Sequence, residues 1–343
     1  MPGMMSEAAL SEADSKLPAV TLVIEWENAI DVTDEWTHKA MGALERELAA
    51  TAGRMRAKPR IMYLYDKSAV APGTIEQAMG LVAPRLRELA DVEILATPGL
   101  TYYKLKNYGI ARSQTELTIM LDSDAAPQPG WLGSLLKPFA DPEIKVVGGF
   151  TVLGTQDFLS RAMALAWVFN LAHERDKTVK RQKIHVNNCA VRTDFFRNHP
   201  FPDLPAFKKQ CVFWLRGLTA EGYKFVRTAE AMVIHAPHPG PKFLVWRAWT
   251  GGMDSDFLGF QTVSRSRLGR LGYAFKYFAR KVKRSWRNII RHGGKIGLPG
   301  WQKPFAMLVT LAFYLVTLAG QLWSVFTRDF APLPAIYTRK APT

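Results

Sequence analysis

Over roughly the first 125 residues, apolar runs of strand length alternate with stretches whose apolar residues recur at helical spacing. Ala19 to Glu25 (AVTLVIE) is apolar almost throughout, the composition of a strand buried on both faces, and Trp36, Ala40, Leu44 and Leu48 follow at helical intervals. Arg60 to Tyr65 (RIMYLY) predicts a second strand ending at Asp66. Thr74 then predicts a cap for a helix carrying Ile75, Met79, Val82, Leu86 and Leu89. Val92 to Leu95 predicts a third strand and Leu117 to Leu121 a fourth. Strands alternating with helices build an α/β domain on a mostly parallel sheet, in which ligands gather at the carboxyl ends of the strands. Glu25, Asp66 and Asp122 to Asp124 all fall at such ends.

Two later stretches follow a different rule. Leu268, Leu271, Phe275, Phe278, Val282, Trp286 and Ile289 recur every three or four residues, while Arg270, Lys276, Arg280, Lys281, Lys283, Arg284, Arg287 and Arg291 fill the remaining surface. Such a helix suits a membrane interface, with cations near anionic lipid head groups. Phe305 to Phe326 is a run of 22 residues without a charge. As a helix it rises about 33 Å, enough for a bilayer core of roughly 30 Å. The basic flank places the main body in the cytoplasm and the tail outside, a single-pass arrangement in the cytoplasmic membrane.

Charge sharpens this division. The formal net charge is +15, yet from Phe257 to Lys303 there is no acidic residue and twelve are Lys or Arg. That run lacks a reading helix and precedes the apolar span, so nucleic acid is not an expected partner. The expected organisation is a disordered leader over 1–18, an α/β domain over 19–240, a basic interfacial region over 241–303, a spanning helix over 304–327 and a tail over 328–343. Cys189 and Cys211 form no metal-ligand spacing, which points to a reducing compartment.

The chemistry concentrates at Leu121-Asp122-Ser123-Asp124, where a buried strand runs into an acidic turn. Carboxylates two residues apart can point the same way from an extended turn, and their hard oxygens suit Mg²⁺ or Mn²⁺ bridging a diphosphate. An ordinary strand-end turn has the same residue types. No Walker A sequence and no G-x-G-x-x-G after the first strand is present, which argues against a P-loop enzyme or a dinucleotide dehydrogenase.

With these positions laid out, the chain resembles the family-two glycosyltransferases, from about Val20 to His238. The resemblance rests on AVTLVIEWEN at 19–28, on Asp66, on Lys106-Asn107-Tyr108-Gly109, on TIMLDSDAAPQPGWL, on Val146-Val147-Gly148-Gly149, on Asn188-Cys189-Ala190-Val191-Arg192 and on Val233-Ile234-His235. It implies a GT-A fold and a nucleotide-sugar donor held by Glu25, Glu27, Asp66, Asn107 and Asp122. A divalent cation, Mn²⁺ or Mg²⁺, would be bound by Asp122, Asp124 and His235. Asn188 and Arg192 would face a lipid-linked or cell-envelope glycan acceptor. Trp246-Arg247-Ala248-Trp249 is similar to the acceptor-gating motif of processive synthases but in a different order, and one span does not make a secretion channel.

One departure stands out. Inverting members of the family place a carboxylate base just before a helix that here corresponds to Cys211–Glu221, yet Phe207-Lys208-Lys209-Gln210 contains none. A solvated Lys is protonated near neutral pH and Gln takes up no proton. Asp203 or another displaced acid, a phosphate of donor or acceptor, or loss of catalysis are the three expectations left. The last would make the chain a donor-binding scaffold at the membrane.

Overall fold

The computed structural model describes residues 16–30, 32–169, 171–174, 184–237, 239–334 and 337. Its centre is strand β1 (Val20–Glu25), every residue of which is buried, as a run without polar alternation requires. β1 pairs in parallel with β2 (Arg60–Asp66) on one side and with β4 (Leu117–Asp122) on the other; β2 pairs in parallel with β3 (Asp91–Thr97). Beyond β4 the sheet reverses: β7 (Asn188–Arg192) runs antiparallel to β4 and to β6 (Val146–Leu153). With β5 (Ala125–Pro127) and β8 (Phe225–His235) the order is β3-β2-β1-β4-β7-β6-β8-β5. The sheet is therefore mixed, with its parallel half formed by the four strands that alternate with helices in the sequence.

The chain divides into two compact units whose segments interleave: Met1–Thr151, Thr178–Pro200 and Lys224–Ile234 in one, and Val152–Lys177, Phe201–Tyr223 and His235–Thr343 in the other. The first holds α1 (Asp34–Thr51), α2 (Thr74–Val82), α3 (Tyr102–Arg112) and α4 (Trp131–Leu136). In α3, Gly109 allows close approach to the sheet, since a Cβ there would lie 2.5 Å from a Val23 methyl and 2.8 Å from a Leu64 methyl. Leu17 bridges to Met55 and is buried, so the chain is already folded one residue before the expected leader ends; residues 1–15 of that leader lie outside the described residues.

Two expectations here change. Thr74 does not cap α2. The N-cap is Gly73, in the left-handed region at φ 83°, and Thr74 is the first helical residue. The helix stops at Val82 because Pro84 cannot continue it, and Leu86–Leu89 forms a separate turn of helix.

The second unit holds α5 (Phe158–Ala164), α6 (Gln210–Ala220), α7 (Pro241–Thr262), α8 (Arg267–His292) and α9 (Lys303–Thr327). α5 ends at Ala164, and a 3₁₀ turn follows at Ala172–Glu174; residue 170 lies outside the described residues. α7 and α9 touch through glycines. A Cβ on Gly252 would strike the Thr317 carbonyl, and one on Gly320 the Trp249 carbonyl. Arg270 and Asp256, both essentially inaccessible, pair through two hydrogen bonds of 2.9 and 2.5 Å. Among the described residues α9 is the one helix long and apolar enough to cross a membrane.

Candidate active site

Register decides which carboxylates meet. β1 and β4 align Glu25 with Asp122, and Glu25 also pairs with Leu64, two residues before Asp66, so three acidic strand ends share the carboxyl edge of the parallel sheet. Two carboxylates side by side in a buried setting repel unless donors intervene. Asn28 supplies one: its amide donates to Glu25 Oε1 at 3.0 Å and to Asp122 Oδ2 at 2.8 Å. Glu25 Oε2 accepts the backbone N–H groups of Glu27 (2.9 Å) and Asn28 (3.3 Å), so Glu25 shapes the loop that follows β1.

α3 supplies the rest. Tyr102 and Lys106 are one helical turn apart and both reach Asp122, the phenol at 2.8 Å and the ammonium at 2.8 Å from Oδ1. Lys106 is fully buried and its Nζ lies 4.5 Å from the centre of the Tyr102 ring. Burial, then the charges of Asp122 and Glu25, push the Tyr102 phenol well above its ordinary range, so it stays a proton donor to Asp122. Asp122 is thus a charge-compensated anchor.

Asp124, two residues on, is 2% exposed in the turn between β4 and β5. His235 ends β8, and its Nδ1 lies 3.0 Å from the Ala236 carbonyl. A carbonyl only accepts, so Nδ1 is the donor, and in the neutral ring that leaves Nε2 as the nitrogen able to bind a cation. One ligand atom from each of Asp122, Asp124 and His235 lies within 4.8 Å of the others. Two carboxylate oxygens and a neutral imidazole nitrogen fit a divalent cation such as Mn²⁺ or Mg²⁺.

Other expected residues are placed as follows. Asp66 is half-exposed at the end of β2; its Oδ1 accepts N–H groups of Ser68 (3.0 Å) and Gly99 (3.3 Å), and those bonds hold its carboxyl below the usual carboxylate range. Glu27 and Asn107 are half-buried. Asn188 pairs with Leu121 beside the acidic turn, but its amide is engaged by Trp131 Nε1 (2.8 Å) and the Ala231 carbonyl (2.9 Å), which ties α4 and β8 to β7. Arg192 pairs with Leu117, at the opposite end of β4 from Asp122. There its guanidinium donates to the carbonyls of Phe139 and Ile144 and to Glu116. The antiparallel run of β7 is the reason for that placement: four residues carry the chain about 13 Å along a strand.

In the second unit, Asp203 is exposed in an irregular segment. Lys209 is the N-cap of α6, and buried Gln210 donates from Nε2 to the Ala206 carbonyl at 2.5 Å. The carboxylate that does reach this stretch is Asp254 of α7, which accepts the backbone N–H groups of Phe207 (2.7 Å) and Lys208 (2.9 Å). No local signal in the sequence pointed to Asp254. Asn28 and Tyr102 were also missed, although the spacing of Tyr102 and Lys106 on a helix just before the acidic strand could have singled out that pair.

Residues 84–197 match the family model described as Glycosyl transferase family 2, a segment that contains Lys106, Asp122, Asp124 and β7. The match covers about a third of the chain and makes that segment similar to the family-two glycosyltransferases. None of the curated proteins matches this chain at a significant level. Among solved structures it is similar to the mannosyltransferase PcManGT from Pyrobaculum calidifontis, determined in complex with GDP-Man and Mn²⁺. The two share 14% identity over 90% of this chain and 88% of the other, with a TM-score of 0.54. At that identity the likeness concerns the fold, and it agrees with the GT-A arrangement of strands and acidic turn described above.

Proposed function

We propose that this protein is a glycosyltransferase that moves a sugar from a nucleotide-sugar donor to a lipid-linked or glycan acceptor at a membrane surface, with inversion at the anomeric carbon and a divalent cation at Asp122, Asp124 and His235. The convergence of those three ligand atoms at the end of β4 carries the reading. The GDP-Man and Mn²⁺ of the mannosyltransferase with similar fold support both donor class and cation. A cation bound there offsets negative charge building on the leaving diphosphate. Lys106, Tyr102 and Asn28 hold Asp122 ionised and aimed; Asp66, anchored by Ser68 and Gly99, presents a carboxylate suited to accepting hydrogen bonds from a nucleobase.

The acceptor hydroxyl must lose a proton as it attacks, and Asp203 is the acidic candidate nearest in sequence to the carboxylate-free stretch. Retained turnover in Asp203→Asn removes it and leaves a donor or acceptor phosphate as the proton acceptor.

The purified chain offered UDP- and GDP-linked sugars with Mn²⁺ should release nucleoside diphosphate, and Asp124→Ala should stop that release. A second reading is favoured by one observation: among residues 207–210 there is no carboxylate, and Asp254 beside them is occupied by two backbone N–H groups. On that reading the protein is a donor-binding module at the membrane, and metal-dependent donor binding without any nucleotide release would establish it.

A further inference from the structure

Helix α9 is turned inside out relative to a soluble helix. Its outward positions, Phe305, Leu308, Leu315, Trp323 and Phe326, are all at least half exposed and recur along one face from end to end, whereas the face packed on its neighbours carries Thr310, Thr317, Gln321 and Ser324. That outer stripe needs an apolar medium. A helix crossing a bilayer and a helix lying in its surface both provide one.

The partner of α9 distinguishes the two. α8 runs antiparallel beside it over its whole length: Arg270 donates to the Ser324 and Arg328 carbonyls, Ser285 meets Tyr314, Trp286 Nε1 donates to the Met307 carbonyl, and Lys303 reaches the Ile290 carbonyl. From Arg270 to Ile290 this alignment covers about 30 Å, the thickness of a hydrocarbon core. Were α9 to span, the exposed cations Lys276, Arg280, Lys283, Arg284 and Arg287 of α8 would lie at bilayer depth beside it, where each is strongly disfavoured. The chain after α9 also stays with this unit. Phe330 packs edge-on against Phe257 at 5.0 Å, and Gln261 of α7 exchanges hydrogen bonds with Ala331 (2.7 Å) and Leu333 (2.9 Å).

We infer that α8 and α9 lie together in the plane of an anionic membrane surface, with the outer stripe of α9 and the exposed Phe275, Trp286 and Ile290 of α8 in the acyl boundary and the α8 cations at the head groups, and that α9 does not cross. This rests on the membrane-surface reading proposed above and replaces the single-pass arrangement expected from composition. Charge complementarity commits the partner to anionic lipid, since the segment from Phe257 to Lys303 has twelve cations and no acid.

The test is sidedness. The full chain carrying Cys211→Ser is produced in bacterial cells as the parent, and Glu88→Cys, Gly300→Cys or Asp329→Cys is added singly; all three positions are exposed. In sealed inverted membrane vesicles a membrane-impermeant maleimide should label all three sites equally above the parent. Labelling of Asp329→Cys that requires detergent, with Glu88→Cys and Gly300→Cys labelled in intact vesicles, overturns the in-plane arrangement. Recovery of the chain wholly in the soluble fraction overturns the lipid partner, and nucleotide release by that soluble chain would still support the transferase reading.

Discussion

Asp122 and Asp124 stand two residues apart and differ in what surrounds them. Asp122 accepts hydrogen bonds from Tyr102, Lys106 and Asn28 and pairs with a cation that is itself fully buried. Removing one member of a buried pair leaves the other charge uncompensated, at a cost of about 3 to 5 kcal/mol. Lys106→Met should therefore lower unfolding free energy by about that amount, read as a fall in the urea midpoint at unchanged slope. Asp124 belongs to the exit turn. Asp124→Asn should leave the urea midpoint close to the parent while Mn²⁺-dependent nucleotide release falls on the order of 100-fold, the scale of losing one stabiliser of developing charge. A buried tyrosine adds a pH dependence. Burial pushes the Tyr63 phenol far above its ordinary value, so above about pH 10 the unfolded chain loses a proton that the folded chain keeps. A raised folded pKa contributes stability that is intact below pH 10 and lost as pH rises, at about 1.4 kcal/mol per unit. Tyr63→Phe should flatten the decline of stability between pH 10 and 11.5 by that slope.

At the scale of elements, the contact between α7 and α9 depends on the absence of side chains at Gly252 and Gly320, where any Cβ would run into backbone carbonyls. Backbone yields less readily than a side-chain tip, so Gly252→Val should force the two helices apart and cost at least about 1 to 3 kcal/mol. Thermal unfolding of the variant checks this, with exposed Gly272→Ala as the control that should not destabilise. The parallel half of the sheet and its acidic ends were legible in the sequence, because a strand buried on both faces is a continuous apolar run and the motif is local. The position of Arg192 relative to the acidic turn was not legible. Asn188 and Arg192 belong to one short motif, yet β7 sends them to opposite ends of the sheet, and strand direction is a property of pairing partners rather than of composition. Length and composition mark the apolar helix as able to span, as the structure also has it, but they do not report how its polar residues are arranged. Phe305 to Phe326 has no charge, but its few hydroxyls and one amide fall on one face, and composition does not report faces.

At the scale of the whole molecule, the excess of positive charge has one address. Among the exposed cations of α8 are Lys276, Lys283, Arg287 and Arg291, and the last three flank a groove whose apolar lining is Phe278, Val282, Trp286 and Ile290. A cation near an anionic bilayer contributes about 1 kcal/mol, and the effect decays over a Debye length of about 8 Å at physiological salt. Apolar burial in the interface is insensitive to salt, so the two contributions separate by experiment. The quadruple variant K276Q, K283Q, R287Q, R291Q should bind vesicles containing anionic lipid roughly a thousand-fold more weakly than the parent, from four losses of about 1 kcal/mol each. Its residual binding should weaken less steeply than the parent's as salt is raised from 50 to 300 mM, because fewer exposed cations, Arg280 and Arg284 among them, remain beside the apolar stripe of α9. All four substitutions lie on α8, so Mn²⁺-dependent nucleotide release from a soluble donor should equal that of the parent. Vesicle sedimentation across the salt series measures the first two outcomes and a nucleotide-release assay the third. Binding of the variant indistinguishable from the parent would show that the charge of α8 serves something other than the lipid surface.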